Sequence, residues 1–334
     1  MDEKPGVIKQ ALKEANLRVH DIDAYAFTQG PGMFNCLSVS CSSASAMAAL
    51  MNKPLIGVNH MQGHALTPFI TEAKPPEFPF LTCLMSGGHT QLVLATSFDE
   101  FEILVDTGSL AIGQCFDRLG AALDLPAPQG YGPALESLAL SLPSSDPDIP
   151  HFAPLPLPPL SSPLFEFSGI LLSLLETLHK ISPGSDPKAK HSVDPTGIKQ
   201  AIQVGAAREF QRSVGEAFVR RIQSCLEKLK EDRGVVIKGL VASGGVASNK
   251  YLKQRFQSLE KSCGLRVMFP PISLCTDNAA MIANAAIHRY KAQSFTDLSD
   301  TLPRRKWSIE ELSRPAGPSG DPAVEAENRD AGGS

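Results

Sequence analysis

Apolar positions run along the chain in two rhythms. Val7, Ile8, Ala11, Leu12, Ala15 and Leu17 recur at near-helical spacing over 6–17, and the run from Asp23 to Thr28 then reads as a strand. It ends in Gln29-Gly30-Pro31-Gly32. That is either a turn whose backbone lets a ligand approach closely or a plain strand-to-helix turn, and a Ser- and Ala-rich helix is expected over 35–51. Pro54-Leu55-Ile56-Gly57-Val58 reads as a buried strand, and a helix bearing His60 and His64 follows. From Phe80 the texture changes to three short strands, 80–85, 90–96 and 101–107, with Ser86-Gly87-Gly88-His89 as the first hairpin turn.

Ala111 to Leu123 alternates as a helix carrying Asp117, and Gln129-Gly130-Tyr131-Gly132-Pro133 opens another near Pro133. The stretch 141–163 is dense in Pro and Ser and reads as a loop with polyproline character. Phe165 to Gly169 reads as a strand leading into a helix over 170–178, and a polar stretch over 181–195 precedes a long helix over 198–229. Arg208, Arg212, Arg220 and Arg221 on that helix either face a polyanion or form a solvated face. The β-prone run 234–242 ends in Ser243-Gly244-Gly245-Val246-Ala247-Ser248-Asn249, where a helix starts. A strand over 265–269 leads to Asp277 at a helix start, and the tail beyond about Arg314 is expected to be disordered.

Composition narrows the class. With 334 residues, 43% of them hydrophobic, the chain suffices for two domains or one bilobal unit. No apolar stretch is expected to reach the roughly eighteen residues that cross a bilayer, and Met1-Asp2-Glu3-Lys4-Pro5 is neither a signal nor a transit peptide, so no membrane partner is expected. A net charge of −4 argues against nonspecific nucleic-acid binding through overall charge but leaves room for a local basic face. The seven cysteines are odd in number, scattered and never Cys-x-x-Cys, which fits a reducing compartment and gives no zinc-ribbon signal.

Three groups carry candidate chemistry. His60 and His64, four apart, stack on one helix face, where two neutral nitrogens can bind one divalent metal or be ordinary packed residues. Ser86 to His89 is first a hairpin turn and otherwise an anion cradle of backbone amides. The strand, glycine turn and helix around Ser243 to Asn249 would suit a phosphate or ribose at the positive end of a helix dipole. Asp277 is either an N-cap or first-turn carboxylate, or a third metal ligand beside His60 and His64.

Seven motifs in order resemble one family, the TsaD-type tRNA threonylcarbamoyladenosine synthases, formerly called O-sialoglycoprotein endopeptidases. They are Thr28-Gln29-Gly30-Pro31-Gly32, Asn59-His60-Met61-Gln62-Gly63-His64-Ala65, Ser86-Gly87-Gly88-His89-Thr90-Gln91-Leu92, Phe116-Asp117-Arg118, Phe167-Ser168-Gly169, Ser243-Gly244-Gly245-Val246 and Cys275-Thr276-Asp277-Asn278-Ala279-Ala280-Met281. The resemblance spans about residues 5–290. It implies an α/β, bilobal actin/hexokinase-like (ASKHA) fold, with the N-terminal lobe truncated and its expected opening strands absent. The implied domains are an N-terminal lobe over 1–110, a C-terminal lobe over 111–312 and a tail over 313–334. By carry-over, His60, His64 and Asp277 hold one divalent ion, iron or zinc. Met85, Ser86, Gly87, Gly88, His89, Thr90, Asp117, Gly132 and Asn249 line a site for threonylcarbamoyl-adenylate, supplied by a separate synthase. The implied reaction moves the threonylcarbamoyl group to the exocyclic amine of adenosine 37 in tRNAs reading codons that start with A, with a homodimer as the expected assembly.

His89 and the His60-Met61-Gln62-Gly63-His64 run resemble the bacterial and mitochondrial branch, and the Pro/Ser-rich insertion and tail favour a mitochondrial member. Departures from the family pattern are Met33-Phe34-Asn35-Cys36 after Gly32, Tyr131 in the Gly130 turn and Leu171 where the family tends to carry Lys. The absence of the expected opening strands, with these departures beside it, keeps a catalytically impaired remnant or scaffold of the same fold as the alternative reading. A metalloprotease is disfavoured, because Gln62-Gly63 leaves no general base between the histidines.

Overall fold

The computed structural model describes residues 4–182, 193–195 and 198–312. The expected disordered tail and most of the polar stretch over 181–195 lie outside the described residues. The chain forms two compact units, Met1–Leu66 with Asn278–Ser334, and Thr67–Asp277. The expected boundary at residue 110 is not where these units divide, because Val105 and Ile112 on either side of it pack into one core.

In the first unit, α1 (Lys4–Glu14) precedes β1 (Tyr25–Gly30), α2 (Phe34–Met51), β2 (Leu55–Asn59) and α3 (His60–Leu66), and the chain returns in α11 (Ala279–Lys291). β1 and β2 pair in parallel, Tyr25 to Leu55 through Thr28 to Val58. Parallel strands are covered on their faces by crossover helices. Here Phe27, Leu55, Cys41 and Ala48 form the core between the pair and α2. The eighteen-residue α2 corrects one expectation: by length and composition it is long and apolar enough to cross a bilayer, with 17% of it buried. The segment after α11 lies along the small sheet. Thr296 donates its amide to Leu55 O at 2.7 Å, and the Arg304 amide donates to Gln29 O at 2.8 Å.

The second unit is built on a six-stranded sheet of order β6-β5-β4-β3-β7-β8, from β3 (Phe80–Met85), β4 (Thr90–Ala95), β5 (Phe101–Thr107), β6 (Leu164–Phe165), β7 (Gly239–Ser243) and β8 (Arg266–Met268). β3, β4 and β5 form the expected antiparallel meander, and β7 adds in parallel beside β3 with Leu84 opposite Ser243. β3 and β4 are buried at every position, which is why they read as apolar runs rather than alternations. Around the sheet pack α5 (Ile112–Ala122), α6 (Tyr131–Leu140), α7 (Ser168–Ile181), α8 (Gln200–Arg233) and α9 (Lys250–Cys263). Two short helices, α4 (Pro68–Thr71) and α10 (Ile272–Cys275), complete the unit.

Three local expectations change. Ser168 and Gly169 begin α7 rather than ending a strand, and only 239–243 of the run 234–242 pairs in the sheet. The α8 arginines are mostly structural. Arg208 donates to Ala139 O and Leu142 O, Arg212 pairs with Glu209 at 2.7 Å, and Arg221, 5% exposed, donates to Pro159 O and Leu160 O. A Pro-rich segment has carbonyls but few amides to pair them with, so guanidinium groups serve as its donors. The 141–163 excursion is therefore strapped to α8, with Leu155 donating its amide to Glu209 Oε1 at 3.3 Å.

Candidate functional site

The histidine pair stands at the start of α3, which Asn59 organises. Its Oδ1 accepts the Met61 amide at 2.9 Å and the Gln62 amide at 3.4 Å, and its Nδ2 donates to Trp307 O at 3.1 Å. An asparagine before the first helical residue is a legible cap signal that the spacing argument passed over. The rings of His60 and His64 stack with centroids 4.9 Å apart, and their Nε2 atoms lie 3.1 Å apart.

α3 packs on α11 at Gly63, where a Cβ would meet Ile282 Cδ1 at 3.0 Å and Met281 Cγ at 3.3 Å. Asn284 Nδ2 donates to Leu66 O at 2.9 Å and ties the other end of α3 to the same helix. The N-cap of α11 is Asn278, whose Oδ1 accepts the Met281 amide at 2.8 Å, so the cap role expected as one option for Asp277 belongs to its neighbour. Asp277, one peptide bond before that cap, offers a carboxylate oxygen, and the ligand atoms of His60, His64 and Asp277 all lie within 4.8 Å of one another.

The donor set fits a divalent ion. The two imidazole Nε2 atoms lie 3.1 Å apart, close enough for both to bind one ion, and imidazole nitrogen is a common zinc and iron ligand. Two His and one carboxylate on one side leave further positions open, as in facial-triad iron sites and catalytic zinc sites.

The remaining candidates lie in the second unit, around the ends of β3 and β7. Ser86 Oγ accepts the amides of His89 at 3.0 Å and Gly88 at 3.3 Å, so two amides expected to cradle an anion are held by the turn's own hydroxyl. Gly87 and Gly88 are exposed, and no atom stands within 4 Å of where their Cβ atoms would be. Met85 and Thr90 are fully buried: Met85 is a core side chain, and Thr90 Oγ1 accepts the Ile112 amide at 2.8 Å.

Two glycines fix this turn, Gly113, which the sequence reading did not single out, and Gly244 of the Ser243-Gly244-Gly245-Val246 motif. A Cβ on Gly113 of α5 would fall 2.8 Å from Ser86 O and Gly87 Cα. A Cβ on Gly244, at φ +96°, would fall 2.3 Å from Met85 O. Only residues without a side chain allow backbone to touch backbone this closely.

Asp117 lies on the open side of α5, where loss of water to the surrounding protein raises its carboxyl above the ordinary range. Gly132 sits in the first turn of α6, facing open space. Asn249 is 6% exposed and engaged at both ends: its Oδ1 caps α9 by accepting the Leu252 amide at 3.0 Å, and its Nδ2 donates to Gln211 Oε1 at 2.8 Å. The expected phosphate position at the start of α9 is already used. Glu136 Oε1 accepts the Lys250 amide at 3.1 Å, so a carboxylate stands at that positive helix end. The open backbone of this region is instead the turn at Gly245, where nothing lies within 4 Å of a Cβ.

Comparison with known proteins extends these observations. The family profile "TsaD: tRNA N6-adenosine threonylcarbamoyltransferase" matches residues 3–284. A tRNA N6-adenosine threonylcarbamoyltransferase of Brucella suis (strain ATCC 23445 / NCTC 10510) is 37% identical over 311 residues, covering 92% of this chain and 80% of the relative. Among solved structures, HypF of T. kodakarensis superposes with a TM-score of 0.59 at 14% identity, over 87% of this chain and 44% of HypF. A full-length HypF in a phosphate- and nucleotide-bound form gives 0.57 at 13% identity, over 87% of this chain and 42% of that one. This chain thus spans less than half of either HypF, and the likeness is one of fold, the ASKHA-type α/β architecture.

Proposed function

The chain belongs to the tRNA N6-adenosine threonylcarbamoyltransferase family, and from that premise we propose that it transfers a threonylcarbamoyl group from threonylcarbamoyl-adenylate to the exocyclic amine of adenosine 37 in tRNAs reading codons that start with A. It is a transferase of the tRNA-modifying class. The observation that carries the finer reading is the convergence of His60, His64 and Asp277, three donors suited to one divalent ion, iron or zinc.

The donor triad holds the ion, which when bound supplies Lewis acidity toward a carbonyl oxygen. Asn59 fixes the start of the helix on which both imidazoles stand, so the donors are oriented before any ion arrives. In the second unit, Ser86 rigidifies its turn by holding the Gly88 and His89 amides, and the exposed Gly87, Gly88 and Gly245 leave room for a flat adenine or ribose against backbone. Asp117, His89 and Gly132 border that surface in our assignment. Met85, Thr90 and Asn249 serve it from within, as supports of the turns rather than as side chains reaching the ligand.

A second copy of the chain is the proposed partner. The exposed apolar side chains of α1 and α2, among them Val7, Phe34 and Leu50, support that reading. A mitochondrial location is proposed on the branch resemblance of His60 to His64 and His89. The test is transfer of radiolabelled threonylcarbamoyl from the adenylate to unmodified tRNA by the purified full chain, before and after chelation. We expect transfer to stop on chelation and to return with iron or zinc. Transfer that persists in metal-free protein would contradict the role given to the triad.

A further inference from the structure

Asp300 to Trp307, in the first unit, carries three consecutive cations, Arg304, Arg305 and Lys306, and the structure treats them differently. Arg304 is turned inward: its guanidinium lies 4.8 Å over the Trp307 ring and pairs with Asp300 at 3.0 Å. Trp307 is buried. Between these two anchors the chain bends, and Arg305 and Lys306 are exposed, with no ion pair among the described residues. Asp300, the acid closest in sequence on this segment, is paired with Arg304 and does not neutralise them.

The bend is held on both sides. The Arg304 amide donates to Gln29 O at 2.8 Å, Arg305 O accepts the Gly32 amide at 3.3 Å, and Trp307 O accepts Asn59 Nδ2 at 3.1 Å. Gly30 lets the segment in, since a Cβ there would overlap Arg304 O. The close approach anticipated at the Gln29-Gly30-Pro31-Gly32 turn is therefore made by the chain's own basic segment. Asn59 is also the cap of α3, so one side chain fixes both the bend and the helix that begins with His60.

We propose that Arg305 and Lys306 form a phosphate clamp for the backbone of the tRNA substrate, placed beside the metal-bearing helix; this rests on the tRNA-directed reading above. Two unneutralised cations on a braced bend lose little freedom on binding, and each neutralised phosphate releases counterions. The clamp also supplies what a net charge of −4 denies the chain as a whole, a local positive surface for a polyanion. It reads no bases and so contributes affinity rather than sequence choice.

The experiment measures binding of unmodified tRNA to the full chain by fluorescence anisotropy between 50 and 200 mM KCl, for the wild type, R305Q/K306Q, the charge-preserving R305K/K306R, and K9Q/K13Q as a control that removes two exposed charges from α1. Two lost phosphate contacts should weaken binding on the order of tenfold at 0.15 M salt and flatten the log–log salt slope by about 1.4 to 1.8. R305K/K306R should retain both slope and affinity, K9Q/K13Q should change neither, and metal content should be equal in all four. A wild-type slope in R305Q/K306Q, or an equal loss in K9Q/K13Q, overturns the clamp while leaving the transferase reading intact. A wild type that binds no tRNA overturns both.

Discussion

In the first unit the His60 and His64 side chains stand on α3, which packs on α11 through Gly63 and is pinned by Asn59 and Asn284. In the second unit the turns meet because backbone touches backbone, Gly113 against Ser86 and Gly244 against Met85. The triad is thus a set of side chains that truncation can remove one at a time. The turns are held by the Ser86 hydroxyl and by glycines, and at the glycines they break when a side chain is added rather than removed. Losing a donor should cost more chemistry than stability, whereas adding a side chain to the second unit's turns should cost both.

The largest effect is expected at Gly244. Replacing it with Val drives a Cβ into Met85 O at a positive φ, and left-handed strain plus overpacking should cost about 3 kcal/mol or more, read as a lower urea midpoint. Loss of adenylate binding should accompany it. A G244V protein of native stability would remove the claim that close backbone packing builds this turn.

Asn59→Ala sharpens the other half. Loss of the α3 cap should cost about 1–2 kcal/mol. Metal affinity should fall about 10- to 100-fold, because the donors lose their orienting partner rather than themselves. Calorimetric metal titration and thermal melting of the same sample separate the two numbers.

A smaller effect belongs to the strap on α8. Burial works to raise the Glu209 carboxyl, but hydrogen bonds from Arg212, Ser213 and the Leu155 amide hold it below the ordinary value of 4.5. A depressed carboxylate contributes stability at neutral pH that is lost as pH falls below that value. Glu209→Gln should therefore be the less stable protein at pH 7, and its deficit should shrink toward pH 3 in urea melts. A deficit independent of pH would place the stabilisation elsewhere.

The contrast between the units also explains what the sequence could and could not tell. The strands over 80–85 and 90–95 were legible because burial on both faces writes a continuous apolar run, and Ser86 to His89 was legible as a hairpin turn between them. The α8 arginines were not, since the carbonyls that accept from Arg208 and Arg221 lie about 60 residues or more away and leave no periodic trace. The run 234–242 looked like one long strand, but only its second half has a neighbour to pair with. His60 and His64 were legible as a pair by spacing, whereas Asp277, more than two hundred residues on, was legible only as one of two options until the family resemblance chose the ligand role. Gly113 and Gly244 act by what they lack, and only the fold shows what a Cβ there would strike.

The most direct test of the account is metal stoichiometry measured beside tRNA modification in the full chain, for the wild type and for His60→Ala with His64→Ala. The account predicts close to one ion per wild-type chain, and loss of both ion and modification in the double variant. Its metal-free form should stay folded but melt below metal-free wild type, because truncating the buried His64 ring leaves a cavity. Undiminished ion content or undiminished adenosine modification in the double variant would contradict it.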